Sequence, residues 1–317
     1  MVLATLDGPT SGVPGRRRNR RLGRQSLWIW LLLTPTIVFY GVYTVYPIIA
    51  SYFYSLVDWN GFEAHKTFVG LQNFRDVIAD PLFWNSFKVT ILFIVAAVPL
   101  KVILTLLLAL LLNSPKMPFA TFFRTIYFLP VVTTAAIVGV VMQFVFDPGS
   151  GPIVQLLSVF GFDGQLDLLG SSRTALWTAA GIHIWKWFGI TLVYWLAALQ
   201  TVPEEVYEAA HLDGAGTWGL FRWITAPLLK PFTIIITLLS FEEALRVFDL
   251  ILTLTDGGPF FSTEVVEVYI YRWAFAATVP QLGYASAVAV IFGLFVSLVG
   301  VFQLVGVRAL QKARTAQ

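Results

Sequence analysis

The chain has 317 residues, of which 57% are hydrophobic and only 12% are charged, and its formal net charge is +3. A mean hydropathy of +0.75 excludes an ordinary soluble domain and indicates an integral membrane protein. The absence of cysteine excludes a disulfide framework, a cysteine-based metal site and a lipidated cysteine.

The N-terminal tail, residues 1–26, is basic and contains Arg16, Arg17, Arg18, Arg20, Arg21 and Arg24. Beside a hydrophobic segment, such a tail is a topology signal rather than a nucleic-acid-binding patch. The apolar run that follows is too long for a secretory signal peptide, contains Pro35 and Pro47, and lacks a small-residue cleavage site. We therefore expect this run to be retained as the first membrane span.

Residues 27–307 are predicted to form an all-α transmembrane domain. Six segments are long enough to cross about 30 Å of hydrocarbon as helices of roughly 20 residues. They are residues 28–49, 89–112, 125–146, 176–199, 232–254 and 282–305. Residues 308–317 form a short C-terminal tail.

The distribution of charge predicts the orientation of these spans. Lys and Arg concentrate on the side of the membrane that holds the N-terminal tail. Besides the arginines of the tail, the cations on this side are Lys116, Arg124, Arg222, Lys230, Arg308, Lys312 and Arg314. The opposite loops carry more acids, including Asp58, Glu63, Asp76, Asp80, Asp147, Asp163 and Asp167. Both termini and the segment 200–231 are therefore predicted to be cytoplasmic.

The polar segment 200–231 predicts a compact knob of two short helices. Pro203 suits a first helical turn, and Glu204 and Glu205 complement the positive end of the helix dipole, so we expect a helix over 203–213. Gly214 then adopts the left-handed conformation that stops it. A second short helix is expected to be capped by Thr217 and ended by a proline, Pro227.

The order of residues in this knob is specific. Glu208, Ala209 and Ala210 are followed at fixed spacing by Asp213, Gly214, Ile224 and Pro227. This pattern resembles the EAA loop by which permease subunits of bacterial ABC importers dock onto their ATPase subunits, although Ala226 replaces the usual Leu. The resemblance implies ATPase coupling through Glu208 as a polar contact, Ala209 and Ala210 as packing surfaces, Asp213, and Gly214 as the bend.

Other stretches are similar to the maltose and glycerol-phosphate type of sugar permease, namely residues 70–74, 80–84, 128–130, 146–151 and 255–259. The last of these contains a Gly-Gly-Pro loop typical of the F-like partner. The resemblance implies a type I importer fold in a bacterial or archaeal plasma membrane. It also implies a second, non-identical permease, two ATPase subunits or domains, an extracytoplasmic solute-binding protein and a carbohydrate substrate.

Catalytic chemistry is scarce along the chain. No Gly is followed by Lys, so a phosphate-binding Gly-x-x-x-x-Gly-Lys loop is absent, and ATP and Mg²⁺ are expected only in a separate ATPase chain. His65, His183 and His211 are scattered and show no metal-ligand or catalytic spacing; His183 is interpreted as a packing residue. We therefore predict no catalytic residue, no metal site and no cofactor in this chain.

A path for solute is expected where ionisable groups occur within spans, because such groups usually face the protein interior or a water-filled cavity. Helical spacing places Glu242, Arg246 and Asp249 on one face of the fifth span, with Glu243 pointing elsewhere. This stripe is interpreted either as part of the passage or as an internal salt bridge, and the two interpretations are compatible.

Aromatic side chains supply the stacking surface of a sugar path. The candidates are Trp185, Trp187 and Tyr194 near Lys186 in the fourth span, together with Gln143 in the third. Lys101 is interpreted either as a further path residue or as a long side chain that reaches toward the cytoplasmic interface.

Two other classes of protein remain as alternatives. A self-sufficient secondary transporter or channel would use Glu242, Arg246 and Asp249 as coupling charges and would need no partner ATPase. A membrane-embedded enzyme is disfavoured because no catalytic cluster emerges.

Overall fold

The computed structural model describes residues 19–63, 65–113, 117, 119–161 and 167–315. Several predicted topology charges lie outside these residues, namely Arg16, Arg17, Arg18, Lys116 and Asp163. The chain divides into two compact units, residues 1–53 and 54–317. The first unit contains helix α1 (Asn19–Tyr40), a π turn (Gly41–Val45) and most of α2 (Tyr46–Tyr54). An apolar stretch over Trp28–Tyr54 confirms the predicted first span.

The second unit opens with a small antiparallel hairpin, β1 (Val57–Asp58) and β2 (Thr67–Phe68), followed by α3 (Gln72–Ala79). Helix α4 (Pro81–Leu112) confirms the second span but begins earlier than predicted. Its start is fixed by Asp80, whose Oδ1 accepts a hydrogen bond of 2.8 Å from the Leu82 N–H. Pro81 at the first turn completes this start signal.

The third span is not one straight helix, so the prediction of a continuous span over 125–146 is wrong. Helices α5 (Ala120–Val132) and α6 (Ala135–Val145) meet at an angle of 102°. Thr133 and Thr134 have extended backbones with ψ of 145° and 149°, and the Thr134 hydroxyl accepts from the Ile137 N–H to start α6. Apolar residues flank this break on both sides, which is why hydropathy does not reveal it.

Helices α7 (Pro152–Val159) and α8 (Ala175–Leu199) follow. Helix α8 confirms the fourth span, and α14 (Leu282–Thr315) contains the sixth. Before α14, the chain forms α12 (Phe248–Leu254), α13 (Val266–Tyr271) and a π turn (Arg272–Ala276). Among the described residues, five helices are long and apolar enough to cross a membrane, or six if the bent α5–α6 pair counts as one span.

The fifth span begins and ends earlier than the predicted range 232–254. It comprises α10 (Thr217–Leu220), a π turn (Phe221–Thr225) and α11 (Ala226–Leu245). The chain then leaves the helix at Arg246, whose φ and ψ are −100° and 48°. A new helix starts at Phe248, whose N–H donates to the carboxylate of Glu267 at 2.9 Å, a contact across 19 residues of sequence.

The core of the second unit lies where α4 packs on α8. Trp195 of α8 is fully buried, and its indole N–H donates to the Val102 carbonyl of α4 at 3.1 Å. On another face of α8, Gly189 lets the backbone of α5 approach so closely that an added Cβ would lie 2.3 Å from the Tyr127 carbonyl oxygen. Small residues permit such close helix packing in membranes.

Long-range hydrogen bonds gather several loops at one end of the second unit. The Tyr284 hydroxyl donates to Asp80 at 2.9 Å, and the Tyr269 hydroxyl also donates to this carboxylate. The Asn85 side chain donates to the Phe261 carbonyl at 2.9 Å. The beginnings of α4 and α14, helix α13 and the segment between α12 and α13 therefore lie together.

Candidate functional site

The predicted knob forms as an exposed helix, α9 (Glu204–Leu212), which confirms the expected helix over 203–213. Pro203 precedes it with an extended backbone, and Glu204 and Glu205 occupy its first turn. A hydrogen bond of 3.1 Å between the Tyr207 and Thr225 hydroxyls ties α9 to the start of the fifth span. This bond connects α9 directly to the first turns of the fifth span.

Gly214 ends α9 in the predicted left-handed conformation, with φ of +78°. The Ala215 N–H donates to the Ala210 carbonyl at 2.9 Å, and the Gly214 N–H donates to the His211 carbonyl at 3.0 Å. This pair of bonds is a Schellman motif, which satisfies the last carbonyls of the helix. Among the described residues other than its chain neighbours, no atom lies within 4 Å of a Cβ placed on Gly214, so the left-handed backbone rather than crowding favours glycine here.

Two details of the predicted knob are wrong. Thr217 is the first residue of α10, and Gly216 occupies the capping position without a side-chain bond. Pro227 does not end a second short helix, because the helix continues through α11 to Leu245. The π turn immediately before α11 changes the hydrogen-bond register, so Pro227 stands in a first turn, where its missing N–H is tolerated.

Most residues of the predicted coupling motif are exposed on the knob. Glu208, Ala209, Asp213 and Gly214 are exposed, and Ala210 is half-buried. No residue of α9 is buried, and the Leu212 side chain is 90% exposed. The coupling motif predicted from the sequence is therefore accessible in the single chain.

The charged residues of the fifth span divide between two environments. The Arg246 guanidinium donates to Glu242 at 2.8 Å, as the helical spacing predicts, and both side chains are mostly exposed in the single chain. Asp249 lies in α12 beyond the helix break, so the prediction that all three residues share one helical face is wrong for Asp249. The break at Arg246 and Val247 is the physical reason.

Glu243 belongs to a buried polar cluster that the sequence does not reveal. Its carboxylate accepts two hydrogen bonds from the Lys101 ammonium, at 3.0 and 3.1 Å, and lies 3.3 Å from Nε2 of His183 without hydrogen-bond geometry. Lys101 is fully buried, so the prediction that its side chain reaches toward the interface is wrong, and its role in the path stays a prediction. This cluster joins α4, α8 and α11.

Lys186 stabilises the break in the third span. Its ammonium donates to the Thr133 carbonyl at 2.7 Å, where α5 ends, and lies 4.3 Å from the centre of the Trp187 ring. A charge-assisted bond to a carbonyl freed by a helix break compensates for the lost helical hydrogen bond. The fourth span thereby fixes the geometry of the third.

The predicted path residues occupy separate places. Trp185 and Tyr194 are exposed on α8, Trp187 is half-buried there, and Gln143 donates to the Leu254 carbonyl at 3.1 Å. Apart from the Glu242 to Arg246 pair, none of these predicted residues hydrogen-bonds to another within the described ranges. Their contact with solute stays a prediction.

Two carboxyl groups outside the spans have raised pKa values. Burial raises the pKa of Glu264 to about 7 despite the Arg272 guanidinium, whose Nε lies 3.1 Å from its Oε1. Burial likewise raises the pKa of Glu267 to about 7, although the carboxylate accepts the Phe248 N–H. Among the described residues, no group of three or more His, Asp or Glu side chains is arranged to hold a metal ion.

Comparison with known proteins identifies the family. Residues 90–312 match the model of the binding-protein-dependent transport system inner membrane component. The chain belongs to this family. The prediction of an all-α integral membrane permease is thereby confirmed, and membership in a multicomponent transport system disfavours both the self-sufficient transporter or channel and the membrane-embedded enzyme.

Sequence similarity to curated relatives extends over most of the chain. The chain is 34% identical over 83% of its length to a probable ABC transporter permease protein, YurN, of Bacillus subtilis, of which 89% is covered. It is 32% identical over 88% of its length to the lactose transport system permease protein LacF of Rhizobium radiobacter, of which 93% is covered.

The fold is that of a solved importer permease. A chain of a bacterial ABC transporter involved in the import of the acidic polysaccharide alginate superposes with a TM-score of 0.78. The alignment covers 91% of this chain and 99% of that one at 22% identity. At this identity the likeness concerns the fold alone, and it confirms the predicted type I importer permease fold.

Proposed function

We propose that this permease forms part of the passage for a sugar or sugar derivative and is driven by ATP hydrolysis in a separate chain. Relatives named for lactose, for starch degradation products and for multiple sugars support a saccharide substrate. The complex contains a second, non-identical permease, two ATPase subunits or domains that hold ATP and Mg²⁺, and an extracytoplasmic solute-binding protein. It lies in a bacterial or archaeal plasma membrane, with both termini of this chain in the cytoplasm.

The exposed helix α9 carries this proposal. It presents Glu208, Ala209 and the Gly214 bend on the side where Lys and Arg concentrate, and the Tyr207 to Thr225 bond links it to the fifth span. Closure of the ATPase dimer moves α9, and the spans respond by exposing the passage to alternate sides of the membrane. The exposed pair of Glu242 and Arg246 is unfavourable against lipid, so this face borders the passage or the second permease.

Co-purification from native membranes tests the ATPase assignment. The Glu208→Ala and Gly214→Val variants are expected to lose the ATPase, since they remove a polar contact and strain a left-handed residue. The matched control is Glu205→Ala, on the same helix but outside the motif. Unchanged ATPase retention in well-folded Glu208→Ala and Gly214→Val proteins would contradict the proposal.

A further inference from the structure

A surface cavity of about 360 Å³, wide open to the surroundings, lies where α6 and α12 end, beside the loop between α12 and α13. Its walls include Gln143 and Phe146 of the third span, Asp147 just beyond it, and Leu169, Thr255 and Gly258. This volume falls within the range of roughly 300–1,000 Å³ typical of small-molecule sites. The cavity is distinct from the exposed Glu242 to Arg246 pair.

Asp147 supplies a fixed acceptor to this cavity. Its Oδ1 accepts the Ser150 and Gly149 N–H groups at 2.7 and 2.9 Å, and also the Ser150 hydroxyl. Hydrogen bonds from Ser150 and then Gly149 lower the pKa of this carboxyl, so it is ionised at neutral pH. Within the described ranges, Oδ2 accepts no hydrogen bond and is available to a hydroxyl donor.

Gln143 and Phe146 complete the chemistry of a saccharide site. The Gln143 amide nitrogen is held by the Leu254 carbonyl, which leaves the amide oxygen as a second acceptor. The half-buried Phe146 ring provides an apolar wall. A few fixed polar groups beside an aromatic surface are the usual composition of a small-molecule site.

Charge in the cavity favours neutral solutes over anions. None of its lining residues is Lys, Arg or His, and the one ionised side chain is the Asp147 carboxylate. The carbonyl end of α6 adds partial negative charge at the same place. An acidic sugar would meet like charge and no cationic side chain in the lining, whereas hydroxyl groups would meet acceptors.

We propose that this cavity is an outer subsite that holds one neutral glycosyl unit as it leaves the solute-binding protein. Asp147 and Gln143 accept hydroxyl hydrogens, and Phe146 contacts the apolar face of the ring. The inference rests on the proposed sugar-import function and its orientation. Beyond that function, it specifies where on the permease the sugar binds and predicts that this subsite excludes uronic acids.

The natural absence of cysteine allows a direct test. Pro148→Cys places a thiol in the cavity wall, and Phe260→Cys places one on a 90% exposed side chain of the same loop region, outside the lining. Each variant is assembled with its partner chains in right-side-out membrane vesicles. The rate at which a membrane-impermeant maleimide labels each thiol is measured without sugar and in the presence of glucose, galactose, lactose, maltose, glucuronate or galacturonate.

At least one neutral sugar is expected to slow labelling of Pro148→Cys and to leave Phe260→Cys unaffected. A sugar at four times its Kd leaves about one-fifth of the cavities empty, which slows labelling by about fivefold. Asp147→Asn or Phe146→Ala in the Pro148→Cys background should reduce this protection. Asn retains an acceptor for the Ser150 N–H, so the turn is preserved while the charge is removed.

The proposal is overturned if no sugar protects Pro148→Cys, if the uronates protect it equally well, or if Phe260→Cys is protected to the same extent. ATPase retention is measured on the same membranes. If the complex retains its ATPase but no sugar slows the labelling of Pro148→Cys, the subsite alone is refuted. If the ATPase is absent from otherwise intact complexes, the proposed importer is refuted.

Discussion

The knob and the buried polar cluster are both polar interruptions of an apolar chain, yet they are stabilised in opposite ways. In the knob, residues within a few positions of one another cap α9 and form the Schellman motif at Gly214. In the cluster, Lys101 and Glu243 are 142 residues apart and meet only after three helices have packed. Local chemistry therefore specifies the exposed knob, and tertiary packing specifies the buried cluster.

The largest expected effect concerns the buried cluster. Lys101→Met removes the ammonium that is hydrogen-bonded to Glu243 and should destabilise the permease by about 3–5 kcal/mol. The double variant Lys101→Met, Glu243→Gln removes both charges and should recover much of this loss. Thermal unfolding in detergent measures both effects, and a single variant as stable as the parent would show that the ion pair contributes nothing.

Gly189→Ala should produce the next largest loss. The added Cβ would lie 2.3 Å from the Tyr127 carbonyl oxygen, and separating α5 from α8 should cost about 1–3 kcal/mol. Gly181→Ala on the same helix is the matched control, since in the described part of the chain no atom outside the helix's own backbone lies within 4 Å of its added Cβ. Unfolding temperatures should fall for the first variant alone; equal behaviour would argue against close packing at Gly189.

The raised pKa of Glu267 gives stability a pH dependence. The folded-state pKa of about 7 exceeds the ordinary value of 4.5, so the folded protein binds more protons between these values. Stability should therefore fall as pH rises from 4.5 toward 7, by at most about 1.4 kcal/mol per pH unit for this group. Arg246 opposes this shift and Asp249 reinforces it.

Glu267→Gln should flatten part of this pH dependence, because the amide oxygen still accepts the Phe248 N–H without titrating. Glu264, which also has a pKa of about 7, supplies a further part. Melting temperatures across pH 5–8 measure the difference between parent and variant. A parent whose stability is constant over this range would contradict the assignment.

The smallest effect is expected at the exposed pair in the fifth span. Arg246→Ala should change the stability of the isolated permease by about 0–1 kcal/mol, because both charges are exposed in the single chain. Sugar uptake by the assembled complex should fall much more if this face borders the passage. Unfolding in detergent and uptake in vesicles separate these effects, and equal losses in both would contradict a functional role.

The comparison also shows what the sequence can and cannot predict. Long apolar runs predicted the spans, and Pro203, Glu208 and Gly214 predicted the knob, because each signal depends on neighbours in sequence. The α5–α6 break and the helix end at Arg246 were missed, since Lys186 and Glu267 stabilise the neighbouring chain from distant segments. Burial of Lys101 was missed for the same reason: its partner is on another helix.

The central claim is that α9 meets a nucleotide-hydrolysing partner in the cytoplasm. Ala209→Cys, in a chain with no other cysteine, allows crosslinking in native membranes, with His65→Cys on the opposite loops as control. We predict that an ATPase crosslinks to the Ala209→Cys chain alone and that an impermeant thiol reagent added outside labels only the His65→Cys chain. External labelling of Ala209→Cys, or no ATPase in its crosslinked products, would contradict the claim.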